Sequence, residues 1–214
     1  MSTLISAATM AGPLAAGWSV HTLWMRRRIE AARRDPLTGL LTRDGFTKRA
    51  EWLMNRTPVA VLVIDLDGFK AINDTHGHHA GDAILTQAAR RISTTTIGGV
   101  RGRLGGDEFA AVVPLPDPAR LPARLRQTHE YLTAPVDFEG DELLIGASIG
   151  GIWSGTYPVD LSRALRRADE AMYAVKRTGG GWMAATNPEP TQPSVNGRRD
   201  GRPGTGNAPE GATP

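Results

Sequence analysis

Arg103-Leu104-Gly105-Gly106-Asp107-Glu108-Phe109-Ala110-Ala111-Val112-Val113 sets two adjacent glycines directly before two adjacent carboxylates and an apolar run. Gly-Gly between two β-like runs reads as a hairpin turn, which places Asp107 and Glu108 at a solvent-facing bend. Glycine tolerates positive φ and leaves the backbone bare for close approach, so the bend suits a metal-bound phosphate. A hairpin carrying two solvated acids fits the same residues, and the stretch alone does not separate the two readings.

A second acidic cluster lies upstream. Pro58-Val59-Ala60-Val61-Leu62-Val63-Ile64 is a continuous apolar run, as expected for a strand buried on both faces. It ends in Asp65-Leu66-Asp67-Gly68-Phe69-Lys70. A carboxylate at the end of a buried strand needs water, a partner or a cation. If this strand pairs with the one that begins at Asp107 and Glu108, three or four carboxylates converge on one sheet edge. Mg²⁺ takes oxygen ligands and is commonly held by one or two carboxylates plus substrate phosphates. Lys70 adds a positive charge for those phosphates.

Around these two segments the pattern alternates helix and strand. Helices are expected over Thr42 to Asn55, Ala80 to Ile92, Pro118 to Leu132 (with a restart near Pro122) and Asp160 to Arg177. Strands are expected over Val59 to Ile64, Val100 to Leu104, Phe109 to Val113 and Glu142 to Trp153, with Trp182 to Ala184 as a short closing strand. This gives an α+β fold with a β-α-β-β-α-β core, one antiparallel sheet carrying its helices on one face.

The chain of 214 residues is long enough to bury a substantial core in one domain, and it has no cysteine. Disulfides, thiolate metal sites and thiol nucleophiles are therefore excluded. The net charge of +3 arises largely at Arg26-Arg27-Arg28, Arg33-Arg34 and Arg198-Arg199. Few aromatics interleave with these clusters, so no nucleic-acid partner is expected. Residues 1–25 contain no Asp, Glu, Lys or Arg, and the arginine triplet follows at once. That length can span a bilayer with the arginines on the cytoplasmic side, anchoring a cytoplasmic catalytic domain to the inner face of the cell membrane. Pro13, His21 and the many small residues fit a soluble or dimerising helix equally, and both readings stay open. The expected division is 1–34 as this segment and its basic linker, 35–184 as the folded domain, and 185–214 as a Pro/Gly-rich disordered tail.

Read together, Asp35-Pro36-Leu37-Thr38-Gly39-Leu40, Asp65 to Phe69, and Asn73-Asp74 with Gly77-His78 and Gly81-Asp82 resemble the GGDEF domain of diguanylate cyclases. Arg103 to Phe109, Ser148-Ile149-Gly150, and Arg167-Ala168-Asp169-Glu170-Ala171-Met172-Tyr173 with Lys176 extend the resemblance in order. It implies a nucleotidyl-cyclase, palm-like fold and condensation of two GTP into cyclic di-GMP with loss of two pyrophosphates. It further implies Mg²⁺ (or Mn²⁺) as cofactor and a two-fold, transient homodimer, each protomer bringing one GTP. The implied catalytic residues are Asp107, Glu108 and Lys70. The implied metal ligands are Asp65, the Leu66 carbonyl, Asp107 and Glu108, with the role of Glu108, ligand or proton acceptor, left open. Phe69, Lys70, Asn73, Asp82, Gly105, Gly106 and Lys176 are the implied GTP-binding residues, Asn73 and Asp82 reading guanine. The resemblance assigns His78 a structural role, and internal hydrogen bonds or ion pairs are expected for Asp35, Arg43 and Asp169.

The chain departs from the family pattern twice. Relatives carry an inhibitory Arg-x-x-Asp where this chain has Thr96 and Gly99, so no inhibitory site is expected. Relatives place an arginine four residues after the lysine that matches Lys176; here the position is Gly180, and one phosphate contact is expected to be lost. The competing reading from another class is a catalytically weak or inactive GTP-binding module that acts through protein interaction. A polymerase-palm or adenylate-cyclase-like enzyme shares the acidic logic but not the motif series.

Overall fold

The computed structural model describes residues 33–155 and 160–186, together with Trp18, His21, Thr22, Trp24, Met25 and Arg28, which are helical. The expectations for residues 1–25 as a membrane segment and for 185–214 as a tail fall largely outside these residues. Among the described residues no helix is long and apolar enough to cross a membrane.

The elements run α1 (Arg43–Met54), β1 (Val59–Asp67), α2 (Phe69–Thr95), β2 (Val100–Arg103), β3 (Glu108–Pro114), α3 (Leu121–Leu132), β4 (Val136–Phe138), β5 (Asp141–Leu143), β6 (Gly146–Ser154), α4 (Leu161–Lys176) and β7 (Gly181–Ala184). A five-stranded sheet has the order β2-β3-β1-β6-β7, and β4 and β5 form a separate hairpin. The fold is α+β with the expected β-α-β-β-α-β core. β1 is central because its apolar run can be covered on both sides; Val59 to Ile64 are at most 1 % exposed. Each buried Val, Leu or Ile among them contributes about 1.5–3 kcal/mol.

Two expectations about the layers change. β7 pairs with β6 in parallel, so the sheet is mixed. The helices cover both faces of the sheet. Ala60, Leu62, Ile64 and Leu66 share a core with Ile84, Leu85 and Ile92 of α2 and Leu125 of α3. Val59, Val61 and Val63 share another with Phe46 of α1 and Ala164, Ala168 and Met172 of α4. The strand side chains alternate between faces, so one uninterrupted apolar run serves both layers.

Other boundaries have local causes. Asp117 caps a short 3₁₀ turn, Pro118–Arg120, before α3 begins with its proline in the first turn. Asp160 accepts from the Ser162 N–H at 3.0 Å and caps α4. α2 begins eleven residues before the expected Ala80, at Phe69, and continues through a non-helical Gly77 (φ 80°, ψ 168°). The expected Glu142–Trp153 strand divides into β5 and β6.

Candidate active site

The loop joining β2 to β3 spans residues 104–107, and the Leu104 N–H donates to the Glu108 carbonyl at 2.8 Å. Arg103 fixes it from within: its guanidinium donates to the Gly106 carbonyl at 2.8 and 3.0 Å and to both carboxylate oxygens of Asp35 at 3.1 and 3.2 Å. Arg43 donates to the Leu104 carbonyl at 2.9 Å. Asp35 also accepts from the Thr38 N–H and hydroxyl at 2.8 and 2.6 Å. Burial alone pushes the Asp35 carboxyl up, but the hydrogen bonds from Thr38 and the Arg103 guanidinium outweigh it and hold the group below its ordinary value. Asp35 and Arg43 thus have the internal roles expected of them, and Asp169 is likewise engaged.

Neither Gly105 nor Gly106 has positive φ. The reason for glycine here is room. A Cβ built on Gly106 meets nothing within 4 Å, so the turn offers bare, exposed backbone to an approaching group.

Register brings the two acidic clusters together. Asp65 lies opposite Glu108 on β3 and opposite Ser148 on β6. The side chains of Asp65 and Glu108 therefore stand on one face, the α4 face. Asp65 is only 4 % exposed. Burial raises its pKa, Lys176 counters that, and the charges of Asp107 and Glu108 raise it further. Lys176, the last residue of α4, places its ammonium on Asp65 Oδ1 and 4.0 Å from Asp67 Oδ1. Ser148 donates to both oxygens of Asp67 at 2.9 and 3.0 Å.

These residues do not close into a metal cage: among the described residues no group of three His, Asp or Glu side chains is disposed to hold a metal ion. The convergence of three or four carboxylates expected from the sequence is looser than that. The donor set still fits a hard divalent cation completed by substrate phosphates. Asp65 is a buried carboxylate beside further acids, and its oxygen already carries a cation, the Lys176 ammonium.

The first turns of α2 carry the other expected substrate contacts. Phe69 is partly buried and Lys70 exposed. Asn73 folds back onto Gly81: a Cβ there would lie 2.0 Å from Asn73 Oδ1 and 3.2 Å from Phe69 Cζ. The Gly77 break thus sets Asn73 beside the start of the second α2 segment, where Asp82 is exposed. Leu37 and Phe69 are packed against the core on the same side. Asp82 also borders a cavity of about 460 Å³ with Arg90 and Asp137, and none of the other expected nucleotide-binding residues lines it. His76, His78 and His79 are exposed around the Gly77 break.

Gly150 owes its residue type to α4. A Cβ on Gly150 would lie 1.9 Å from the Ala168 carbonyl oxygen and 2.3 Å from the Met172 nitrogen. The α4 backbone therefore rests on bare strand, which sets the height at which Lys176 meets Asp65. Gly180 does not continue that helix: α4 ends at Lys176, and Gly179, Gly180 and Gly181 all have positive φ. A Cβ on Gly180 would sit 2.7 Å from Asp67 Oδ2. The usual arginine is thus absent from a sharp loop against Asp67, not from the same helix face as Lys176.

Sequence reasoning gave no role to Arg103, Asp67 or Ser148. The signal for the last two was present, since Asp65 and Asp67 lie two residues apart on one strand face and Ser148 opens the Ser148-Ile149-Gly150 motif.

A family model described as diguanylate cyclase, GGDEF domain, matches residues 32–181. An uncharacterised 19.3 kDa protein of the repSA 5′ region in Streptomyces ambofaciens is 47% identical over 163 residues, covering 75% of this chain and 87% of that protein. Diguanylate cyclase DosC of Escherichia coli is 38% identical over 158 residues, 68% of this chain; the match spans 33% of DosC, so the chain corresponds to about a third of that relative. Among solved structures, the GGDEF domain of PA1120 (TpbB or YfiN) from Pseudomonas aeruginosa superposes with a TM-score of 0.66 at 34% identity, covering 71% of this chain and 94% of that one. With the acidic strand ends, the glycine turn and the sheet order all in place, the chain belongs to the GGDEF-domain diguanylate cyclase family.

Proposed function

We propose that this chain is an active diguanylate cyclase: the 3′-hydroxyl of each of two GTP molecules attacks the α-phosphate of the other, two pyrophosphates leave, and cyclic di-GMP forms. The observation that carries the reading is the pairing of Asp65 with Glu108 beside the open backbone of Gly106. Asp65, the Leu66 carbonyl, Asp107 and Glu108 would hold Mg²⁺ or Mn²⁺, which offsets the negative charge of the triphosphate. Phe69, Lys70, Gly105, Gly106 and Lys176 line the phosphates. Asn73 and Asp82 read guanine, whose N1–H and amino group can donate to a carboxylate. One half-site holds one GTP, so turnover requires a second protomer facing the first across a two-fold axis. The reaction takes place in the cytoplasm, where GTP is found; residues 1–25 would confine the protomers at the membrane if they insert.

Gly180 favours a second reading, a GTP-binding module with weak or no turnover, because a phosphate contact is missing there. Purified protein incubated with GTP and Mg²⁺ separates the two. Cyclic di-GMP from the wild type and none from Asp107→Ala supports the cyclase; tight GTP binding without product supports the module.

A further inference from the structure

We infer that Lys176 is an internal counter-cation that competes with the divalent metal for Asp65, so that this chain takes up its metal together with GTP and not ahead of it. The inference rests on the cyclase reading and adds an order of binding to it.

Asp65 is a buried carboxylate with two further acids beside it, and such a group needs a cation. Lys176 supplies one by direct contact with Asp65 Oδ1. The same ammonium faces Asp67 at 4.0 Å, and Ser148 fixes Asp67, so the lysine head lies between two carboxylates. An oxygen that accepts from an ammonium is less available to a metal, and the positive charge repels one. The lysine is nonetheless free to leave: its side chain is 38 % exposed at the last position of α4, on a flexible four-carbon stem. Triphosphate oxygens arriving at the glycine turn give the released ammonium an acceptor of equal charge type. The nucleotide and the metal then favour the same rearrangement, Lys176 moving from carboxylate to phosphate, and each strengthens the binding of the other.

The test is Mn²⁺ binding to the full chain at fixed pH and ionic strength, read by the electron paramagnetic resonance of free Mn²⁺, with and without 3′-deoxy-GTP, which cannot be condensed. Without nucleotide, Lys176→Met should bind Mn²⁺ about tenfold more tightly than wild type, equivalent to about 1.4 kcal/mol. Lys176→Arg, which keeps the charge, and Lys70→Met, which removes a charge elsewhere in the site, should stay near wild type. The factor by which 3′-deoxy-GTP strengthens Mn²⁺ binding should be smaller in Lys176→Met than in wild type. Equal nucleotide-free affinities for wild type and Lys176→Met overturn the inference, as does an equal gain in Lys70→Met or Lys176→Arg, while the cyclase reading stands. Failure of 3′-deoxy-GTP to strengthen Mn²⁺ binding in any of the proteins overturns the cyclase reading as well.

Discussion

Arg103 holds Asp35 through both carboxylate oxygens at 3.1 and 3.2 Å while donating to the Gly106 carbonyl. One guanidinium thus joins the loop at Asp35 to the glycine turn, and the exposed turn is held in shape from its buried side. Both bonds to Asp35 leave one nitrogen, Nη1, and being charge-assisted they are stronger than neutral hydrogen bonds.

Asp35 makes that link pH-dependent. Its folded pKa lies below the ordinary 3.8, so its contribution to stability is present above that value and lost as pH falls through the folded pKa. Asp35→Asn should therefore lower stability by about 1–3 kcal/mol at pH 7. Thermal melts of wild type and variant should converge as pH falls below 3.8. A gap that persists unchanged in acid would mean that Asp35 acts through packing and not through its charge.

Gly106→Ala separates room from backbone strain. The position has no positive φ and open space around its Cα, so the methyl group should leave the melting temperature within about 0.5 kcal/mol of wild type in stability terms. If phosphate approaches the backbone there, kcat/KM for GTP should fall by at least about tenfold. Unchanged turnover would place the nucleotide elsewhere.

Much of this site was legible because strand register depends on simple alternation. The apolar run ending in Asp65 and the run starting after Glu108 could pair usefully in only one phase, and they do. Burial of Val59 to Ile64 on both faces was legible, but the helices that cover each face were not, because an apolar run does not say what buries it. The early half of α2 was missed because Asn73, Asp74 and Gly77 are weak helix formers. The contact between Lys176 and Asp65 depends on how deeply α4 sits on β6, a distance that Gly150 sets and that no periodicity reveals.

Gly150 supplies the corresponding test. A methyl group 1.9 Å from the Ala168 carbonyl oxygen cannot be accommodated without lifting α4 from the sheet. Gly150→Ala should destabilise the domain by more than about 3 kcal/mol. In any fraction that folds, Lys176 is displaced from Asp65 and GTP turnover is lost. Wild-type stability in urea titration would show that α4 has freedom the structure does not suggest.

Under the proposed function, Asp82 carries the choice of base. With a carboxylate to accept from the guanine N1–H and amino group, an equimolar GTP and ATP mixture should give cyclic di-GMP as the dominant product by chromatography. A site built to hydrogen-bond one base discriminates strongly against a base that leaves its polar groups unpaired. Asp82→Ala should lower kcat/KM for GTP and narrow the preference over ATP. A dominant mixed dinucleotide from the wild type would remove Asp82 from base recognition.

At Thr96 and Gly99 the packing, as well as the side chains, leaves no place for the inhibitory pair. Thr96 is fully buried; its hydroxyl donates to the Ile92 carbonyl at 2.5 Å and accepts from Arg101 at 3.0 Å. Arg101 also donates to the Thr96 carbonyl at 2.8 Å, so its guanidinium is spent inside the fold. A Cβ on Gly99 would lie 2.6 Å from the Val112 carbonyl oxygen and 2.7 Å from Val113 Cγ1. Added cyclic di-GMP should therefore leave the initial rate unchanged at micromolar concentration. Restoring the usual pair with Thr96→Arg and Gly99→Asp should not create inhibition, because the arginine would start from a buried position and the aspartate would displace β3. Lowered thermal stability without product sensitivity is the expected result for that double variant. Tight, inhibitory binding of cyclic di-GMP to it would show that the turn can open, and that only its side chains had been lost.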